Sequence, residues 1–201
     1  MNENILDLRK YNISRYAEIL EIILISLGVF LVPLFIPKLL EIVFGAGSAV
    51  TMNSQYVVGT IVNASIIIAG INIVGWKKLV GVVTLPSLAA VGGGLVFPGP
   101  ASIFALYMIP AMWIGNFTII FLYKYLFVNK KMNYVLSALA GILLKTAIIF
   151  GGFSLMATIV STPQKIAEVL TLAMGANQII TATLGSILAF GIIKLAYKEK
   201  K

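Results

Sequence analysis

Neither cysteine nor histidine occurs in the 201 residues of this chain, and only seven side chains are acidic. The first absence excludes disulfides, thiolate or imidazole metal sites, and any mechanism resting on a cysteine nucleophile or a histidine base. The second removes paired carboxylates: Glu3, Asp7, Glu18, Glu21, Glu41, Glu168 and Glu199 fall in tails, in loops or near the ends of apolar runs, none at the middle of one. Without an acid at mid-membrane depth, the usual carboxylate route for proton coupling is missing. A phosphate-binding loop is missing too, since Gly70 to Lys77 has the glycine spacing but not the Gly-Lys pair. The chain is therefore expected to be no enzyme, to need no metal or cofactor, and to draw any energy for transport from a partner. A net charge of +8 does not point to nucleic acid, because the basic residues are scattered over short loops without aromatic interleaving.

What is present is apolar: 60% of the residues are hydrophobic and the mean hydropathy is +1.02. A soluble fold of this size has too little interior to hide so much apolar surface. Lipid must be the solvent, and the expected fold class is all-α, an integral membrane bundle of about six transmembrane helices. Runs of about 20 apolar residues bounded by charge, proline or glycine place the spans at Tyr16–Ile36, Val57–Val74, Leu79–Phe97, Ile103–Phe127, Tyr134–Thr158 and Leu172–Tyr197. The whole chain, 1–201, reads as one membrane domain: residues 1–15 resemble a short interfacial helix, 16–197 form the bundle, and 198–201 are a basic tail. The stretch Lys38–Tyr56 is weakly amphipathic, and its fold is not readable from sequence.

Orientation follows from the cations. With a cytoplasmic N-terminus, the inner regions hold Arg9, Lys10, Arg15, Lys77, Lys78, Lys124, Lys130, Lys131, Lys194, Lys198, Lys200 and Lys201, and the outer loops only Lys38 and Lys165. Such a bias places both termini in the cytoplasm of a multi-pass cell-membrane protein. Glu18 and Glu21 stand where a cleavable signal's apolar region would begin, which argues against a cleaved leader.

Polar side chains are costly inside a bilayer, so their positions are informative. Thr60 and Asn63 lie one turn apart in the outer part of the second span; Asn177, Gln178 and Thr181 occupy the outer third of the sixth; Asn116 and Lys145 fall near the middle of the fourth and fifth. Ser87 follows Pro86 halfway along the third, whereas Asn72 is expected only to cap its helix. Together the outer residues suggest one substrate-binding cavity open to the outside. Lys145 is the sharpest signal, about eleven residues or roughly 16 Å from either end of its span, near the limit of snorkelling. Facing lipid there would cost about 2.5–3.5 kcal/mol, so it should point inward. It is either a counter-charge for an anionic or carbonyl-bearing solute, or a structural lysine bonded to Asn116 and backbone carbonyls or neutral through desolvation. Thr181, Gly185 and Ala189, Ala89 with Gly93, and Ala90 with Gly94 repeat the small-xxx-small spacing of ordinary helix seams. Pro86 and Pro110 free mid-span carbonyls, and 92–100, with three glycines and then Phe97-Pro98-Gly99-Pro100, reads as a frayed helix end and rigid turn.

The segments Gly59-Thr60-Ile61-Val62-Asn63-Ala64, Leu85-Pro86-Ser87-Leu88-Ala89, Ile109-Pro110-Ala111-Met112-Trp113-Ile114-Gly115-Asn116 and Met174 to Ala182 resemble a family of small bacterial membrane proteins grouped with the substrate-binding S components of energy-coupling factor (ECF) transporters. Some members carry the label iron hydrogenase, for which a chain without cysteine offers no cluster ligands. The resemblance, from about Tyr56 to Tyr197, implies a six-helix bundle that captures a vitamin or related micronutrient from outside and docks on a transmembrane T subunit driven by two ATPase subunits. One departure is visible: the first span lacks the Ala-x-x-x-Ala pair with which many S components dock. The residues alone also fit a stand-alone carrier or channel, or a membrane scaffold whose polar groups only join helices.

Overall fold

In lipid every backbone polar group must be satisfied within the segment, so long apolar runs fold as helices. The structure is a computed structural model and describes residues 4–93 and 100–197; these are all-helical, with no strand among them. The helices are α1 (Arg15–Phe44), α2 (Ala49–Met52), α3 (Ser54–Asn72), α4 (Trp76–Gly92), α5 (Pro100–Leu106), α6 (Ile109–Leu122, continued as a π-helical turn over Tyr123–Asn129), α7 (Tyr134–Ile159), α8 (Gln164–Met174) and α9 (Ala176–Ala196). Polar caps set several starts: the Ser14 hydroxyl accepts from the Ala17 N–H at 3.2 Å, and the Asn133 amide oxygen from the Val135 N–H at 2.7 Å.

Five stretches among the described residues are long and apolar enough to cross a membrane: Arg15–Phe44, Ser54–Asn72, Ile109–Asn129, Tyr134–Ile159 and Gln164–Ala196. The expected third span falls on α4, whose 17 residues rise about 26 Å. Its continuation through Phe97, the expected turn at 97–100, the Ala90–Gly94 pair and the basic tail fall wholly or partly outside the described residues.

Several boundaries differ from the sequence expectation. The first span does not stop at Ile36; α1 carries both Pro33 and Pro37 and runs on to Phe44, ending at Gly45, whose φ of 85° suits only glycine without strain. The expected fourth span is broken at Tyr107 and Met108 into α5 and α6, so Pro110 stands in the first turn of α6, where its missing N–H costs no helical bond. The expected sixth span is likewise divided at Gly175, and the preceding outer loop is largely helix α8, which carries Glu168. Residues 4–14 are not an interfacial helix: after one 3-10 turn at Ile5–Asp7 the chain crosses the end of the bundle, the Lys10 N–H donating to Ile71 O at 3.0 Å and the Gly75 N–H to Leu6 O at 2.9 Å.

α3 runs through the middle, its Val62, Asn63, Ala64 and Ile66–Asn72 buried against α9, α1 and α6. The α3–α9 crossing is close because both helices present glycine. A Cβ on Gly59 would stand 2.7 Å from Thr181 Cγ2, and one on Gly185 would stand 2.6 Å from Asn63 Cβ and 2.9 Å from Thr60 O. Thr181, Gly185 and Ala189 thus form the α9 half of this seam, as their spacing suggested.

A polar cluster ties the N-terminal segment to the same end of α1, α3, α4 and α9. Glu18 accepts from the Val74 N–H at 3.0 Å and Lys78 Nζ at 2.9 Å, and Arg9 lies 3.7 Å from its second oxygen. Asn72 does not serve as a cap; its amide donates to Glu21 at 3.1 Å, which also accepts from the Tyr197 hydroxyl at 2.7 Å. Burial, and then the Glu21 carboxylate, hold the Tyr197 phenol above its ordinary range. Tyr197 stacks on Tyr11 at 5.3 Å between ring centroids, so the described chain begins and ends at one end of the bundle.

The seam makes a stability prediction. Gly185→Leu overpacks the crossing, for which about 1–3 kcal/mol is typical, and should lower the melting temperature in detergent by roughly 5–10 °C. Gly191→Leu, at a position with no atom within 4 Å of an added Cβ, should leave it within a degree or two. Equal melting of the two variants in a thermal-shift assay would show that α3 and α9 do not meet this closely.

Candidate functional site

Six of the seven residues singled out from the sequence, Asn63, Asn116, Lys145, Asn177, Gln178 and Thr181, line one cavity of about 100 Å³ between the helices. The seventh, Thr60, does not: it is half-buried on the next face of α3, and Gly59 takes the cavity position one turn before Asn63. Pro33 of α1, Val58 and Val62 of α3, Pro86 and Ser87 of α4, Met112 of α6 and Ile149 of α7 complete most of the wall. The cavity is thus mainly apolar with a small set of convergent polar groups, the usual make-up of a small-molecule site.

Lys145 is 3% exposed and its ammonium donates to Asn63 Oδ1 at 2.5 Å. The expected partner Asn116 instead donates to Val83 O at 3.0 Å, on the turn before Pro86. Asn63 is held in the orientation that offers its oxygen to Lys145, because its amide NH₂ donates to Gly59 O at 2.8 Å and to Thr181 Oγ1 at 3.3 Å. Thr181 in turn donates to Asn177 O at 2.7 Å, and the Asn177 amide oxygen accepts from the Tyr56 hydroxyl at 2.8 Å. A chain of hydrogen bonds thereby runs from the ammonium on α7 through α3 to α9. Gly115 lets α7 pack closely on α6, since an added Cβ would stand 2.8 Å from Ile149 Cγ1 and 3.4 Å from Lys145 Cγ.

The ammonium has three N–H donors and one hydrogen-bond partner among the described residues. No carboxylate pairs with it there; the ion pairs formed belong to Glu18, at the far end of α1. Unused donor capacity therefore faces the cavity. Among the described residues no group of three or more acidic, histidine or cysteine side chains is placed to hold a metal.

Sequence reasoning missed three polar contributors. Tyr56 orients Asn177, Gln55 lines the outer wall, and Trp113 donates its indole N–H to Ser87 Oγ at 2.8 Å and Thr84 O at 3.3 Å. Gln178 sits at the rim, half-buried, with its amide on Ala173 O at 3.2 Å. No protein-family model, curated protein or solved structure matches this chain.

Chemically, this arrangement suits a compact solute with one anionic or carbonyl group to meet the ammonium and an apolar body to meet the wall. Hydrogen bonds to a charged group carry about 1.5–3 kcal/mol. Lys145→Met should therefore weaken binding of such a solute roughly ten- to a hundredfold while leaving melting unchanged or higher, since a buried charge is removed. Gln178→Ala should act in the same direction but more weakly. A structural lysine would give the reverse, a lower melting temperature with unaltered affinity by calorimetry.

Proposed function

We propose that the chain is the substrate-binding S subunit of an ECF-type importer: a six-span cell-membrane protein with both termini cytoplasmic, which captures a vitamin or related micronutrient from outside and passes it to a T subunit driven by two ATPases. The observation that carries this reading is the cavity holding Lys145, a buried amine with one hydrogen-bond partner and no carboxylate partner among the described residues. A scaffold has no use for such a group, which costs stability wherever it lacks a counter-charge.

Other features support it. Tyr11, before the first long helix, and Tyr197, after the last, meet at one end of the bundle, as an even number of passes requires. The five long apolar stretches together with α4 supply six. Arg9, Lys78 and Lys124 gather at the Tyr197 end, as positive-inside bias requires of a cytoplasmic face. The cavity instead approaches the opposite end, where Gln55, Asn177 and Gln178 lie. Absence of a phosphate loop in the sequence leaves the energy to a partner. About 100 Å³ is small beside typical ligand sites of roughly 300–1,000 Å³, so a vitamin-sized solute requires the helices around the cavity to part.

Purification from the native host in mild detergent tests the proposal. A T subunit and two ATPases should co-purify, and mass spectrometry of the extract should identify a bound small molecule. Repeated isolation with a solute but without these partners would favour a stand-alone carrier, and isolation with neither would remove the transport reading.

A further inference from the structure

On the outer flank of the bundle α7 and α9 diverge and leave a second hollow, about 240 Å³ in volume and almost wholly apolar. Tyr134, Ala138 and Ile142 of α7 and Ser186, Ile187 and Phe190 of α9 line it. It is separate from the solute cavity: no residue is shared between the two linings. Its length along α7, from Tyr134 to Ile142, is about 12 Å. The floor is deep because Ala138 and Ser186 are small and buried. The walls are exposed, with Val135, Leu139 and Ile187 each more than half accessible. The end at Tyr134 is closed by aromatic rings, Tyr134 lying 5.0 Å from Phe190 and 5.4 Å from both Tyr123 and Phe127.

One cation stands at that closed end and two more precede it in the chain. Lys194 lies over the Phe190 ring, 4.8 Å from its centroid; Lys130 and Lys131 are exposed just before Tyr134 in sequence, the Lys130 ammonium lying 5.6 Å from the Tyr125 ring centroid. No carboxylate pairs with any of the three among the described residues. An apolar trough ending beneath exposed lysines has the chemistry of a lipid with an anionic head: the acyl chain fills the trough and the headgroup meets the ammoniums, in the manner of basic pockets between transmembrane helices. A second copy of this chain would bring its own lysines to the same place and be repelled, which argues against self-association there.

We propose that the α7–α9 trough is a binding site for one anionic phospholipid, its phosphate held by Lys194 with Lys130 and Lys131. The site rests on the membrane reading of the fold but not on solute capture.

Native mass spectrometry of the full chain, released from nanodiscs of equal parts phosphatidylglycerol and phosphatidylcholine, tests the proposal. The parent should retain phosphatidylglycerol at least fivefold over phosphatidylcholine. The combined variant Lys130→Gln, Lys131→Gln and Lys194→Gln should lose the preference, and Ala138→Phe, which fills the trough, should lose the retained lipid. Lys145→Met should keep it, so failure of the solute site and failure of the lipid site give different results. No preference in the parent, a preference unaffected by both surface variants, or dimers that vanish with Ala138→Phe would overturn the assignment. A chain that does not enter nanodiscs would overturn it together with the membrane reading.

Discussion

The site of this bundle depends on one constraint: a lysine amine at the middle of an apolar helix, with no carboxylate partner among the described residues. Lys145 sits at the middle of α7, and insertion of such a group facing lipid costs about 2.5–3.5 kcal/mol. The structure answers by turning it inward and placing polar groups of two other helices, α3 and α9, around it. Asn63 Oδ1 accepts a hydrogen bond from it, and Gly59 O and Thr181 Oγ1 fix the Asn63 amide. The Asn63–Thr181 bond and the glycine seam at Gly59 and Gly185 lie on the same α3–α9 crossing. One neutral acceptor does not match a full charge, and the remaining donors face the only direction left, the cavity.

The opposite end of the bundle is organised differently. Glu18 is matched by Val74, Lys78 and Arg9, while Lys124, fully buried, donates to Leu8 O and Ile73 O at 2.7 Å each. There Glu18 is paired and Lys124 bonds two carbonyls, and the N-terminal segment is pinned over the ends of α3 and α4. The bundle is thus latched at one end and keeps polar groups lining a cavity towards the other.

Much of this was readable from residues whose cost in lipid forces a choice. Asn63, Asn116, Lys145, Asn177, Gln178 and Thr181 were identifiable because each polar group in an apolar run must turn inward, and helix periodicity then tells which ones share a face. Thr60 illustrates the limit of that argument: one residue of rotation separates it from Gly59, and only the close α3–α9 contact decides which of the two lines the cavity. Pairing was not legible either. Depth offered Asn116 as a partner only for a structural Lys145, whereas the crossing geometry delivers Asn63 and leaves Asn116 to Val83 O. Helix ends were misjudged where proline and glycine carry opposite meanings in context. Pro37 does not end α1, but the single Gly175 divides α8 from α9. The amphipathic α8 was missed because its apolar run is too short to be noticed as a span, and the N-terminal crossing depends on buried contacts with Lys124 and Ile71 that no local pattern encodes.

The central claim is that Lys145 awaits an anionic or carbonyl group from outside the chain. An experimental structure of the protein, extracted from its native membrane without denaturing or delipidating steps, addresses it most directly. Density for a small molecule within hydrogen-bonding distance of Lys145 Nζ, between Asn63 and Asn116, is the result expected. An occupied ammonium, with all its donors taken by backbone carbonyls or by a collapsed wall and no room beside it, would contradict the account.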